Sequence, residues 1–271
     1  MSAFLCSKLQ QVGYGKGKQT LGETDMTERL DPIHAAKVFV ETNFRHCRGA
    51  LLAGSVVRGQ ETATSDLDIV VFDETLMNSY RESLVAFGWP IEVFVYNLTS
   101  YKVFFEKDRK AAKPSMPRMV SEGIILKDTG IMESIQQEAK ALLEAGPEAW
   151  STDTIRTKRY FITDVLDDLR GSVKRQERLF CVNALSDLVS EFILRTERKW
   201  IGSSKWVIRS LEAHDPKLAE EFVEVFDEFY RNDHTEPLIA FVDRVLEPYG
   251  GRLFEGFSIG KAEAEEKMEK L

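Results

Sequence analysis

Apolar residues gather in short runs through the first half of the chain and recur every third or fourth position through the second. Runs at 50–53, 67–72 and 91–96 are too short for helices and rich in branched side chains, so they predict strands. Asp31-Pro32 predicts a helix start, a side-chain cap followed by proline at the first helical position. Ile33, Ala36, Val40 and Phe44 then share one helical face. The spacing predicts a further helix near 75–87, a short one over 101–110, a break at Pro114 and Pro117, a last strand at 124–126, and a helix over 131–145. Helix, strand, strand, helix, strand is the order of a small α/β or α+β unit built on a mixed sheet.

Past Gly146-Pro147, a helix stop and linker, no strand pattern appears. Segments 154–171, 178–199, 205–213, 216–231 and 237–246 all read as helices, punctuated by Gly202, His214-Asp215-Pro216, Asn232-Asp233 and Gly250-Gly251. The expected organisation is α+β: a loose arm over 1–28, a sheet-containing domain over 29–146, an all-helical domain over 147–260 and a charged tail over 261–271.

The chemistry concentrates where the strands begin. Asp66 and Asp68 are one residue apart at the mouth of the apolar run LDIVVF, so they point to one side while Leu67 and Ile69 point to the other. Two neighbouring carboxylates repel and raise each other's pKa unless a cation lies between them. Glu92, set among apolar residues of the next strand, offers a third acid. Upstream, Gly54-Ser55 ends a strand, where glycine permits a sharp turn and backbone N–H groups can cradle an anion. Arg58 adds a cation suited to phosphate. Three acids beside such a turn predict a site for a hard divalent metal and a phosphate.

Gly54-Ser55, ten intervening residues, Asp66-Leu67-Asp68 and then Glu92 resemble the signature of the nucleotidyltransferase superfamily, the DNA polymerase beta-like group, over about 45–130. With a helical domain following, the chain resembles the antibiotic nucleotidyltransferases that adenylylate aminoglycosides and lincosamides. The resemblance implies a Gly-Ser turn that binds a nucleoside triphosphate, ATP or another NTP. It also implies two Mg²⁺ ions held by Asp66 and Asp68, with Glu92 either completing the metal site or serving as base. Two ions about 4 Å apart can clamp the attacking and leaving oxygens of an in-line displacement. The expected reaction moves a nucleoside monophosphate, AMP from ATP, onto a small-molecule hydroxyl and releases pyrophosphate. Transfer to a protein or RNA acceptor, and a non-catalytic nucleotide-binding module, are the alternatives. Relatives that seat the acceptor between subunits leave monomer and homodimer both open.

In the helical half, Arg156, Tyr160, Asp164 and Asp168 recur every fourth residue. That stripe is either a solvated face or an acceptor wall, to which Asp187 and Glu191 would add. Lys205, opening a helix after Gly-Ser-Ser, is a candidate triphosphate contact by the same resemblance. Arg209 and His214 satisfy the loose R-x4-H pattern of helical ribonuclease toxins, but His214 beside Asp215-Pro216 reads better as a helix C-terminal residue favoured by the dipole.

Composition narrows the partners. Cys6, Cys47 and Cys181 are scattered and the four histidines are unpaired, which excludes a disulfide framework and a structural zinc site and leaves carboxylates as metal ligands. A net charge of −8 without a basic block argues against broad nucleic-acid binding. No apolar run approaches the roughly 20 residues of a membrane span, and the N-terminus is too polar for a secretory leader, so the expected address is the cytoplasm.

Overall fold

Helix α1 (Pro32–Asn43) begins as its sequence dictates: Asp31 accepts from the His34 N–H at 2.9 Å and proline occupies the first turn. The computed structural model describes residues 29–261; the expected arm, Cys6 and all but the first residue of the tail lie outside the described residues. After α1 come β1 (Gly49–Ala53), β2 (Leu67–Phe72), β3 (Tyr80–Ala86), β4 (Trp89–Tyr96), α2 (Ser100–Ala111), α3 (Ser115–Glu122), β5 (Ile124–Asp128) and α4 (Met132–Ala145). Helices α5 (Thr152–Gly171), α6 (Arg175–Thr196), α7 (Trp206–His214), α8 (Pro216–Asn232) and α9 (Glu236–Leu246) follow, with a single 3-10 turn at Glu247–Tyr249 last among the described elements. The fold is α+β, a five-stranded mixed sheet followed by helices.

The sheet runs β3-β4-β2-β1-β5. Every pairing is antiparallel except β2 with β4, which is parallel and sets Asp68 directly against Glu92. Strand alternation sorts the side chains onto two faces. Leu67, Ile69, Val71, Ile91, Val93 and Val95 pack toward α1, whereas Leu51, Ala53, Val70 and Phe72 pack toward α2, α3 and α4. Helices α5–α9 enclose a separate apolar core around Leu166, Val189, Phe192, Phe226 and Phe241. None of the described helices is long and apolar enough to cross a membrane.

Two local expectations are corrected. The segment expected as a helix near 75–87 contains β3, an edge strand whose Tyr80–Ser83 half is exposed. Only Leu84 and Ala86 reach the core, so neither a helical nor a strand period registers over it. Phe87 and Gly88, both at positive φ, close the two-residue turn to β4. Pro114 and Pro117 do not break the chain but open α3: Pro114 is the cap residue and Pro117 lies in the first turn, where no intrahelical N–H bond is lost. The α3 N-terminus is held by Asp108, which accepts from the Met116 N–H at 2.8 Å. At its other end Gln136 donates to Val120 O at 3.0 Å and Gly123 O at 2.9 Å.

Candidate active site

The acids converge because register and alternation leave them no other place. Asp68 lies opposite Ala53 on β1 and opposite Glu92 on β4, on the face that also carries Val70 and Phe72. Asp66 precedes β2 by one residue and projects to the same side. One carboxylate oxygen from each of Asp66, Asp68 and Glu92 lies within 4.8 Å of the other two. Burial, then the charges of Asp66 and Glu92, push the Asp68 carboxyl up from 3.8 to about 6, against a smaller pull from Arg58 and Arg81. No hydrogen bond or ion pair satisfies Asp66 or Asp68 among the described residues.

Gly54 is shaped by this cluster. Its φ is +82°, and a Cβ placed on it would stand 2.0 Å from Asp68 Oδ2. The turn therefore needs glycine twice, for its backbone conformation and for the carboxylate pressed against it. Residues 55–59 continue as a hydrogen-bonded turn, with Arg58 N–H donating to Ser55 O at 3.2 Å and Gln60 N–H to the same oxygen at 3.0 Å. The Ser55 hydroxyl donates to Ser65 Oγ at 3.2 Å, and Ser65 Oγ accepts from the Thr62 N–H at 2.8 Å, so the loop 60–65 folds back on the turn.

Glu92 has a partner that sequence reasoning did not find. Arg81, on β3, pairs with its carboxylate and lies over the Phe94 ring at 4.8 Å. With a helix expected near 75–87, the cross-strand neighbourhood of Arg81 and Glu92 carries no signal in the sequence.

Gly54, Arg58 and Asp68 line one side of a cleft of about 230 Å³. Its other walls are Lys113, Ser115, Arg118 and Met119, around the start of α3, and Ile201, Gly202, Ser203 and Trp206 before and within α7. The two walls are tied by Ile201 N–H donating to Ala112 O at 2.8 Å and by Trp200 Nε1–H donating to Leu143 O at 3.0 Å. Gly202 permits the tight turn into α7, since a Cβ there would meet Trp206 O at 2.1 Å. Lys113, Arg118 and Trp206 were not anticipated; their cationic and aromatic character was visible, but not the contact between α3 and α7.

The remaining candidates disperse. Lys205 immediately precedes α7 and is exposed; Trp206 beside it turns into the cleft. Tyr160 stacks on Phe257, ring centroids 3.9 Å apart, and Asp164 and Asp168 are exposed on α5; none of the three lines the cleft. Asp187 and Glu191 line a neighbouring cavity of about 360 Å³ that shares Lys113, Ile201, Gly202 and Ser203 with the cleft, and Lys158 pairs with Glu191. His214 ends α7, and both it and Arg209 line a third cavity.

No protein-family model matches the sequence, and no curated protein shows significant similarity to it. Among solved structures the chain is similar to a nucleotidyltransferase-like protein from Exiguobacterium sibiricum 255-15, at 12% identity and a TM-score of 0.45, over 80% of this chain and 73% of that one. A likeness at that level carries no weight for function, which rests on the side chains above.

Proposed function

We propose that the protein is a divalent-metal-dependent nucleotidyltransferase that moves AMP from ATP to a hydroxyl of a small molecule. The observation that carries this reading is the triad itself: three carboxylates on or just before adjoining strands, each with an oxygen within 4.8 Å of the others and, among the described residues, no ion pair to Asp66 or Asp68. An all-oxygen donor set fits a hard divalent cation such as Mg²⁺ better than zinc or copper. Asp66 and Asp68 would hold the metal, with Glu92 either completing the set or serving as base; when bound, the metal would screen the phosphates and stabilise charge developing on the reacting oxygens.

The chain's own groups supply the rest. Arg58, Lys113 and Arg118 give the cleft cationic walls for a triphosphate, next to the Gly54 turn. The acceptor oxygen forms a bond to the α-phosphorus, the bond to the bridging oxygen of the β-phosphate breaks, and pyrophosphate departs with the electron pair. The hydroxyl proton passes to a carboxylate or to solvent; Glu92 is the candidate base if it does not serve as a ligand. The cavity holding Asp187 adjoins the cleft and offers an acceptor room with an acidic wall, which favours polyhydroxyl or amine-bearing compounds.

Incubation with α-labelled ATP, Mg²⁺ and a panel of aminoglycosides, lincosamides and cell metabolites, followed by mass detection, tests the reading. A Mg²⁺-dependent adduct heavier by one AMP, absent in Asp68→Asn, is expected. Transfer that persists in Asp68→Asn would overturn it.

A further inference from the structure

Beside the cleft, and sharing Arg58, Arg118 and Trp206 with it, lies a larger cavity of about 510 Å³ that neither Gly54 nor Asp68 lines. Its walls carry Arg58, Arg118, Lys199 and Arg209 against two acids, Glu122 and Glu212, in a chain whose net charge is −8. Three guanidiniums surround one indole: Arg118 at 4.5 Å, Arg209 at 5.1 Å and Arg58 at 5.2 Å from the Trp206 ring centre. Arg58 and Arg118 share a single carboxylate, Glu122, at 3.0 and 3.9 Å. Arg209 and Lys199 have no carboxylate partner among the described residues, and Arg58 Nε is buried with no hydrogen-bond partner.

Like charges concentrated in a half-enclosed space repel, and cation–π contact with one ring offsets only part of that cost. A buried guanidinium N–H without an acceptor adds a further penalty. Phosphate answers the repulsion: its oxygens accept two parallel N–H bonds from a guanidinium fork, and its charge neutralises more than one arginine. We propose that this cavity is a phosphate-binding site, taking a phosphorylated ligand of up to nucleotide size. The shared chemistry has two sources, a triphosphate tail that reaches round Trp206 from the cleft and a separate phosphorylated molecule. The proposal does not depend on nucleotidyl transfer, because binding there needs neither the triad nor a metal.

The test is a titration of the full-length protein with inorganic pyrophosphate in metal-free buffer, read by tryptophan fluorescence and calorimetry. Saturable binding is expected, weakened about tenfold or more in Arg209→Gln, as for loss of a charged hydrogen bond, and unchanged in Asp164→Asn, which lies exposed on α5 outside both cavities. Lys199→Gln provides a second variant should Arg209→Gln fold poorly, with circular dichroism confirming the fold of each. No saturable binding to the wild type, or equal affinity in wild type and both charge-removing variants, overturns the proposal. Competition then separates the sources: displacement of pyrophosphate by ATP with Mg²⁺ identifies the triphosphate tail, and simultaneous binding identifies a separate ligand.

Discussion

Replacing Asp68 by asparagine removes one of three crowded negative charges with almost no change in shape, so the metal-free protein should become more stable. The carboxyl titrates at 3.8 ordinarily and at about 6 in the fold, an interval worth about 3 kcal/mol at ~1.4 kcal/mol per pH unit. The sign follows from where the proton is held more tightly. The folded state binds it better, so the protonated group favours folding; that advantage is full below pH 3.8 and is lost as pH rises through about 6. Above that, ionised Asp68 opposes the fold. Allowing for the amide that must now be accommodated, Asp68→Asn should stabilise by about 1–3 kcal/mol at pH 7.5 in EDTA, or roughly 3–10 °C in melting temperature for a chain of this size. The assay is thermal and urea unfolding of wild type and variant at pH 7.5 and pH 4.0, each with EDTA and with excess Mg²⁺. At pH 4.0 the difference should shrink toward zero. Mg²⁺ should stabilise the wild type by mass action, about 2.7 kcal/mol at a hundredfold excess over Kd, and the variant much less. An Asp68→Asn protein that melts at or below the wild-type temperature at pH 7.5, with no narrowing of the gap at pH 4.0, would refute the electrostatic reasoning.

Gly54→Ala should cost about 1–3 kcal/mol and abolish nucleotide transfer, because the added Cβ meets Asp68 Oδ2 at 2.0 Å in a positive-φ turn; denaturation and the labelled-ATP assay measure the two effects. Glu92→Gln should lower kcat with little change in ATP affinity if Glu92 takes the acceptor proton, and should weaken both if it holds metal; equilibrium ATP binding with Mg²⁺ separates the roles. Arg81→Ala frees Glu92 from its cross-strand cation and should weaken Mg²⁺ binding if that cation orients the carboxylate, or strengthen it if the two cations compete; Mg²⁺ titration followed by melting temperature decides. Asp164→Asn and Lys205→Ala lie outside the cleft and should change kcat and the KM for ATP by no more than about twofold.

What the sequence disclosed and what it withheld divide along a physical line. The β2 and β4 cores, the Asp31 cap, the start of α8 at Asp215-Pro216 and the long helices α5 and α6 are written in local periodicity and capping, which need no knowledge of partners. The Asp66-Asp68-Glu92 cluster was legible because strand alternation fixes which way each acid points. β3 was not, since an edge strand with only Leu84 and Ala86 inward has too few buried positions to betray its period. The stripe of Tyr160, Asp164 and Asp168 shows a different limit: a polar helical face looks alike whether it meets a ligand or water, and the stacking of Tyr160 on Phe257 is not written in it. The walls contributed by Lys113, Arg118 and Trp206 depend on contacts between elements far apart in sequence, which no local pattern encodes.

The parallel pairing of β2 with β4 also bears on how the protein reaches its native state. The antiparallel β3–β4 pair closes over two residues and the β1–β2 pair over the single loop 54–66, whereas Asp68 and Glu92 can come together only when those two ribbons dock. The docking joint is also where like charges accumulate, so divalent ions present during refolding should lower the barrier to this step if the joint forms early and otherwise only slow its opening. Stopped-flow folding with and without Mg²⁺ would place the assembly of the triad on the folding path, and would show whether the cation acts as a template for the sheet or arrives after it.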